Sequence, residues 1–348
     1  MNETATPAKT NATAANGHAA SGAAHQQAGG ATPWWAEPKP YERVFLDNTT
    51  GESDRPLIWV NGRIVPKSEA MVSVYDHGLL YGDGVFEGIR VYNGKIFKCQ
   101  QHMDRLWRSA EAIQLKIPIT QADMVDIQRR CIAANDLKDA YIRLIVTRGV
   151  GTLGLDPRNC PVPGVICIAD QIALYPPELY QTGMKVVVAK RPRIPIPCLD
   201  PRVKSLNYLN NILAKTESFA SDALEAIMLS TDGWVGECTG DNIFVVKGGK
   251  VFTPPPEAGI LEGITRRFVI DTLCRETGTP VEEKMMRLEE VLEADEIFLT
   301  GSAAEMIAVT SVEKDGTIHK ISDGEGPVTR KLRTLFRQIV TSDNVPED

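Results

Sequence analysis

The chain has 348 residues, 43% of them hydrophobic and 24% charged, with a net charge of −7. That is the composition of an ordinary globular protein with room for two domains, and its acidic balance argues against nucleic acid as a partner. No apolar run approaches the ~18 residues that span a bilayer. Seven cysteines without a Cys-x-x-Cys pair and five histidines away from ligand spacings exclude a disulfide framework and a metal site, and point to a reducing, cytoplasmic setting.

Residues 1–50 differ from the rest. The first forty, rich in Ala, Thr, Asn, Gly and Gln and free of arginine, cannot bury a core and read as a disordered tail. They hold neither the apolar stretch of a secretory signal nor the arginines of a mitochondrial one. Order is expected from Leu57. Leu57 to Val60 and Arg63 to Val65 read as strands about an Asn61-Gly62 turn, and Val85 to Tyr92 as a strand returning through Asn93-Gly94. Helices are expected over Gln100 to Ile113, with Met103, Leu106 and Ala110 inward, and over Gln121 to Ala134. Strands follow at Tyr141 to Thr147 and Val165 to Ala169.

Tyr175 to Gly183 reads as a linker. Beyond it, a strand is expected at Lys185 to Ala189. A helix should run from Leu206 to Ala220, with Leu209, Ile212, Leu213 and Phe219 inward. Strands should form at Ala226 to Leu229, in a hairpin about Gly248-Gly249, and at Ile297 to Leu299, with a helix from Thr265 to Thr277. Mixed hairpins and helices in each half indicate an α+β protein with a site between two domains.

The chemistry concentrates in a few segments. Lys204 stands in Arg202-Val203-Lys204-Ser205-Leu206-Asn207-Tyr208, just ahead of a helix. A loop lysine is usually a solvated charge, but Leu206 and Leu209 pull this segment inward, where an amine is a better nucleophile. Glu237 lies between Gly236 and Thr239-Gly240, which implies close backbone approach to something, although a strand-end carboxylate can also be solvated. Gly263-Ile264-Thr265 opens a helix, either as an ordinary N-terminus or as an anion site. Gly301-Ser302-Ala303 offers further free amides after a strand, or only a tight turn. Arg105 binds an anion if its helix faces a cleft. Tyr141 and Arg143 share one strand face opposite Ile142, Leu144 and Val146, so Arg143 is either a buried structural ion pair or a cation that recognises a carboxylate. Lysine, phenol, carboxylate and anion-binding helix start are together what pyridoxal 5'-phosphate needs. Gly149-Val150-Gly151-Thr152-Leu153-Gly154 fits Gly-x-Gly-x-x-Gly, but the prolines that follow forbid the helix a dinucleotide fingerprint must open.

With these residues in place the chain resembles the fold-type IV pyridoxal-phosphate enzymes, and among them the branched-chain amino acid aminotransferases, from about Ile58 to Arg337. Glu237 through Asn242-Ile243-Phe244 and on to Leu261-Glu262-Gly263-Ile264-Thr265-Arg266 matches that family's motif, as do Tyr81 to Arg90 and His102 to Leu106. The resemblance implies a small N-terminal domain over 56–174, a linker over 175–183 and a large cofactor-binding domain over 184–345. It makes Lys204 the Schiff-base lysine and proton shuttle. Arg105, Gly263, Ile264, Thr265 and Ser302 would hold the phosphate, Tyr208 would bond the ring hydroxyl, Glu237 would meet the ring nitrogen and Leu261 would pack on the ring. Phe86, Gly88, Tyr141, Arg143, Ser302 and Ala303 would contact substrate, with Tyr81 reaching the site from a neighbouring subunit of a homodimer or higher oligomer. The implied activity is transamination of L-leucine, L-isoleucine and L-valine with 2-oxoglutarate, a step in branched-chain amino acid biosynthesis. Thr147-Arg148-Gly149 resembles the D-amino acid aminotransferases instead, and an aminodeoxychorismate lyase would share the fold. Tyr141-Ile142-Arg143 and Phe86 to Arg90 favour the branched-chain reading.

Overall fold

The computed structural model describes residues 54–348; the expected disordered tail lies outside the described residues. The first sheet has six antiparallel strands: β1 (Ile58–Val60), β2 (Arg63–Val65), β3 (Gly84–Tyr92), β4 (Lys95–Ile96), β5 (Ala140–Thr147) and β6 (Gly164–Asp170), in the order β2-β1-β6-β5-β3-β4. Both hairpins turn on Asn-Gly pairs with positive φ, at Asn61-Gly62 and Asn93-Gly94, the turn whose twist matches that of the flanking strands. Three helices belong to this half: α1 (His77–Tyr81), α2 (Cys99–Ala112) and α3 (Gln121–Ala134). A capping box between Thr120 and Asp123 starts α3. The alternation of β5 then sorts its side chains. Ile142, Leu144 and Val146 are fully buried with Met103, Leu106, Met124 and Cys131 of α2 and α3, while Tyr141, Arg143 and Ile145 stay half-buried on the other face.

The second sheet has nine strands: β7 (Met184–Val188), β8 (Glu225–Leu229), β9 (Val235–Cys238), β10 (Asn242–Lys247), β11 (Lys250–Thr253), β12 (Val281–Glu283), β13 (Glu296–Gly301), β14 (Glu305–Lys314) and β15 (Thr317–Lys320). The order is β12-β11-β10-β13-β14-β7-β8-β9, with β15 paired to β14. Three pairs are parallel, β11–β12, β14–β7 and β7–β8. Its helices are α4 (Leu179–Thr182), α5 (Leu209–Glu217), α6 (Ile264–Phe268), α7 (Leu288–Leu292) and α8 (Pro327–Val340). The molecule is thus α+β, as its pattern of hairpins and helices predicts.

Aromatic packing joins segments of the two sheets. Phe97, just after β4 of the first sheet, sets its ring edge-on to Phe268 of α6 and Phe336 of α8 at 5.2 and 5.9 Å. Glu305 at the start of β14 accepts from Tyr92 Oη at 2.9 Å, from Arg90 at 3.2 Å and from Arg337 at 2.9 Å. These contacts seat the end of β3 against the second sheet.

Two expectations need correction. The helix after Lys204 is shorter than expected, and Leu209, Ile212, Leu213 and Phe219 are exposed at 67, 56, 38 and 67%. Ala214 is the buried residue of α5, packed with Val187, Ala189, Ala226 and Met228. Periodicity fixes a stripe's spacing but not which stripe meets the sheet, and the small residues on both sides draw the Ala214 face in. The helix from Gly263 is continuous to Thr277, but its middle, Val269–Cys274, is π-helical. The sequence reading gives no element at α1, β12, α7, β14, β15 or α8, and α4 forms within the segment expected to be a linker.

Candidate active site

Lys204 is pinned by backbone contacts. Its carbonyl accepts from Phe86 N at 3.0 Å, its own N–H donates to Ser109 Oγ at 3.1 Å, and Ser205 bridges Val85 on the edge of β3 that β4 leaves free. The side chain is therefore aimed by a strand, although it stands in a loop. Nζ donates to Tyr208 Oη at 3.0 Å and sits 4.4 Å from the centroid of the Phe86 ring. Leu206 presses on Gly84, where a Cβ would stand 2.7 Å from its methyl. Leu209, in contrast, does not help to bury the segment.

The amine faces an open cavity of about 700 Å³. Glu237, the penultimate residue of β9, also lines it with 6% exposure, which removes the solvated alternative. Oε1 accepts from Leu261 N at 3.1 Å and forms an ion pair with Arg193 at 2.7 Å, and Oε2 accepts from Asn242 Nδ2 at 2.8 Å. Burial pushes this carboxyl above its ordinary range, while the Arg193 charge and the Leu261 N–H pull it back. The same Asn242 amide donates to Leu261 O at 2.9 Å, so one side chain braces both the carboxylate and the loop into α6.

That loop makes an anion cradle. Gly263 caps α6 with extended dihedrals and no side-chain hydrogen bond to the helix, which leaves the first N–H groups without an intrahelical acceptor. Only glycine fits there, because a Cβ would lie 2.1 Å from Asn242 Oδ1. Arg105 is 4% exposed. Its Nε and one terminal nitrogen grip Glu87 at 2.8 and 2.7 Å, and the other donates to Glu262 O at 2.9 Å, so two of its five N–H groups stay free for a ligand. Thr300 lies across from Asn242 in the β10–β13 register, and its buried Oγ1 has no hydrogen-bond partner among the described residues. An uncapped helix start, an arginine with spare donors and an orphaned hydroxyl fit a bound phosphate ester.

Phe86, Tyr141 and Ile145 form an apolar part of the cavity wall, and Arg143 stands among them. Arg143 lies 4.6 Å over the Phe86 ring and 3.3 Å from Tyr141 Oη. No carboxylate pairs with it among the described residues, so the structural ion pair is not what the strand forms. Gly88 lies opposite Arg143 on β3, and a Cβ there would stand 1.9 Å from Tyr141 Oη, so a side chain fits only if the phenol moves.

Lys204, Arg105, Tyr208, Glu237, Leu261, Gly263, Ile264, Thr265, Ser302, Ala303, Phe86, Gly88, Tyr141 and Arg143 all line this one cavity. Tyr81 does not. It lies on α1, and its Oη accepts from Gly154 N at 2.9 Å. The Gly149–Gly154 segment opens no helix; a 3₁₀ turn at Pro157–Asn159 follows it.

Several residues escaped the sequence reading. Glu87 is fully buried between Arg105 and His102, whose Nδ1 lies 2.7 Å from it. Burial alone would raise its pKa, but the two basic partners hold it well below the carboxylate range. Asp241 and Glu225 line the cavity with Lys215. Burial, with the Glu225 charge, pushes Asp241 up to about 7. Arg193 reads as a surface charge in a proline-rich loop; only the glycine at 236, beside a carboxylate, signalled a close neighbour.

Comparison with known proteins follows this geometry. The Amino-transferase class IV model matches residues 84–312. The chain belongs to the class IV aminotransferase family. A Methanocaldococcus jannaschii relative of this aminotransferase, provisionally named a branched-chain-amino-acid aminotransferase, is 47% identical over 82% of this chain and 96% of its own length. A Listeria monocytogenes D-alanine aminotransferase is 34% identical over 82% and 96%. Among solved structures, the Escherichia coli branched-chain amino acid aminotransferase aligns with a TM-score of 0.79 at 32% identity, covering 84% of this chain and 96% of that one. The branched-chain amino acid aminotransferase of Thermobaculum terrenum in its PLP form aligns at 0.74 and 30% identity, over 83% and 95%.

Proposed function

We propose that this class IV aminotransferase transfers the amino group of L-leucine, L-isoleucine or L-valine to 2-oxoglutarate, giving 2-oxo acids and L-glutamate. The observation that carries the reading is the single cavity: it combines an amine held by a strand edge, an anion cradle, a buried carboxylate, and an apolar wall with one unpaired cation. The names of the relatives and structural neighbours favour the branched-chain substrate over D-alanine.

Arg105, Ser302 and the N–H groups of Ile264 and Thr265 would hold the phosphate of pyridoxal 5'-phosphate, with Leu261 against the ring, Tyr208 at its hydroxyl and Glu237 at its nitrogen. When bound, that group supplies the aldehyde and the electron-withdrawing ring that lets a Cα–H bond ionise. Lys204 Nζ is the base that takes the Cα proton and returns it, and Tyr208 Oη at 3.0 Å orients it between the two tasks. Phe86, Gly88, Tyr141 and Ala303 shape the apolar pocket, and Arg143 supplies the charge that a second carboxylate needs.

We read the two sheets as a small domain over 56–174 and a large one over 184–345, joined through 175–183. Among the described residues no helix is long and apolar enough to cross a membrane, and a cytoplasmic homodimer suits the reading, with exposed Tyr81 reaching a neighbour's cavity. The test is a single-turnover assay. Protein reconstituted with pyridoxal 5'-phosphate should convert L-leucine stoichiometrically to its 2-oxo acid, and cofactor-free protein should not. Equal conversion without the cofactor would remove the reading.

A further inference from the structure

We propose that Arg193 is a positioning residue that keeps Glu237 a hydrogen-bond acceptor, so that its cavity-facing oxygen receives a ring N–H rather than offering the ring a proton. The inference rests on the cofactor reading above and adds a residue to it.

The argument is one of lone pairs. An ionised carboxylate has about four acceptor sites. On Glu237, Oε1 accepts from Leu261 N at 3.1 Å and has the Arg193 guanidinium against it as an ion pair at 2.7 Å, and Oε2 takes Asn242 Nδ2 at 2.8 Å. The Asn242 amide is donor-oriented, because its other contact is the Leu261 carbonyl. Two hydrogen bonds are thus made, and of the two remaining sites the one on Oε1 faces the guanidinium charge, which leaves Oε2, on a residue that lines the cavity. A proton added to Glu237 can sit only there, pointing at whatever occupies the cavity. The charge state of Glu237 therefore sets the direction of the hydrogen bond.

Burial favours the neutral acid, since both side chains of the pair are 7% exposed. Lys204 and Arg266 favour the anion from the cavity and from α6, and the acidic side chain of Asp241 opposes them. Of the cations, Arg193 alone is in contact. It is also built in. Its backbone N–H donates to Leu229 O at 2.8 Å, its Nε donates to Gly259 O at 3.2 Å, and its stem passes Gly236, where a Cβ would stand 3.3 Å from Arg193 Cγ. The glycine beside the carboxylate thus makes room for the arginine.

The test compares Arg193→Met with Arg193→Lys. In cofactor-free protein carrying δ-¹³C-glutamate, the Glu237 signal is assigned by its loss in Glu237→Gln. It should titrate at higher pH in the Met variant than in the parent, and return toward the parent in the Lys variant. After reconstitution, Cα-proton abstraction in the Met variant should slow ~10–100-fold with a smaller change in KM, and the Lys variant should recover part of it. If the Met variant does not fold, Arg193→Gln, which keeps a donor without the charge, takes its place with the same expectation. An unchanged Glu237 titration overturns the proposal. If the parent takes up no pyridoxal 5'-phosphate, the functional reading fails, while the cofactor-free titration still decides whether Arg193 governs Glu237.

Discussion

Gly88 offers a sharp test of the substrate wall. Its φ is not in the left-handed region, so the constraint is space rather than backbone. A Cβ at 88 would lie 1.9 Å from Tyr141 Oη and 2.8 Å from its Cζ. Since ordinary contact is near 3.5 Å, the phenol of Gly88→Ala must retreat by roughly 1.5 Å. Overpacking of this kind costs ~1–3 kcal/mol. Tyr141 is half-buried on a cavity wall and has somewhere to go, so the stability loss should sit near the low end, about 1 kcal/mol and a few degrees in Tm. Activity should suffer more. Tyr141 would leave Arg143, now 3.3 Å away, and a displacement of ~1 Å at a reacting centre costs on the order of 100-fold. Steady-state assays with L-leucine and 2-oxoglutarate should show kcat/KM reduced ~10–100-fold. Adding Tyr141→Phe removes the nearest oxygen and should restore part of the loss. Full activity in Gly88→Ala would refute the reasoning, because the cavity would then have slack the structure does not show.

Lys204→Ala should lower turnover by several orders of magnitude, since nucleophile and proton shuttle go together; substantial residual transamination would remove Lys204 from that role. Arg143→Met should raise KM for 2-oxoglutarate by ~10–150-fold, the worth of a charge-assisted bond of roughly 1.5–3 kcal/mol, while half-reactions with L-leucine change less. Equal losses for both substrates would place Arg143 on a shared carboxylate. Burial, with the Glu225 charge beside it, pushes Asp241 from an ordinary 3.8 up to about 7. An acid raised in this way contributes stability that is complete below the ordinary value and lost as pH rises through 7. Asp241→Asn should therefore have a higher Tm than the parent at pH 8 and no advantage at pH 4. A difference independent of pH would contradict the burial argument.

What the sequence made legible was local. The Asn-Gly hairpins and the β5 alternation could be read because spacing and turn chemistry specify them over a few residues, and the Lys204, Glu237 and Gly263 segments because their residue types together resemble a family's motifs. Which face of α5 meets the sheet could not, since Leu209, Ile212 and Leu213 form as good a stripe as any and the decision lies with Ala214 and the small residues of β7 and β8 beneath it. Nor could Arg193 or Glu87, whose partners are 44 and 18 residues away. A buried ion pair leaves no periodic trace, and each charge taken alone reads as surface.

The central claim is that this cavity transaminates branched-chain L-amino acids. It is tested most directly by presenting the reconstituted enzyme with a panel of L- and D-amino acids together with 2-oxoglutarate, and resolving the glutamate formed by chiral chromatography. L-leucine, L-isoleucine and L-valine should be the fastest donors and the product should be L-glutamate. Faster consumption of D-alanine, with D-glutamate as product, would contradict the account.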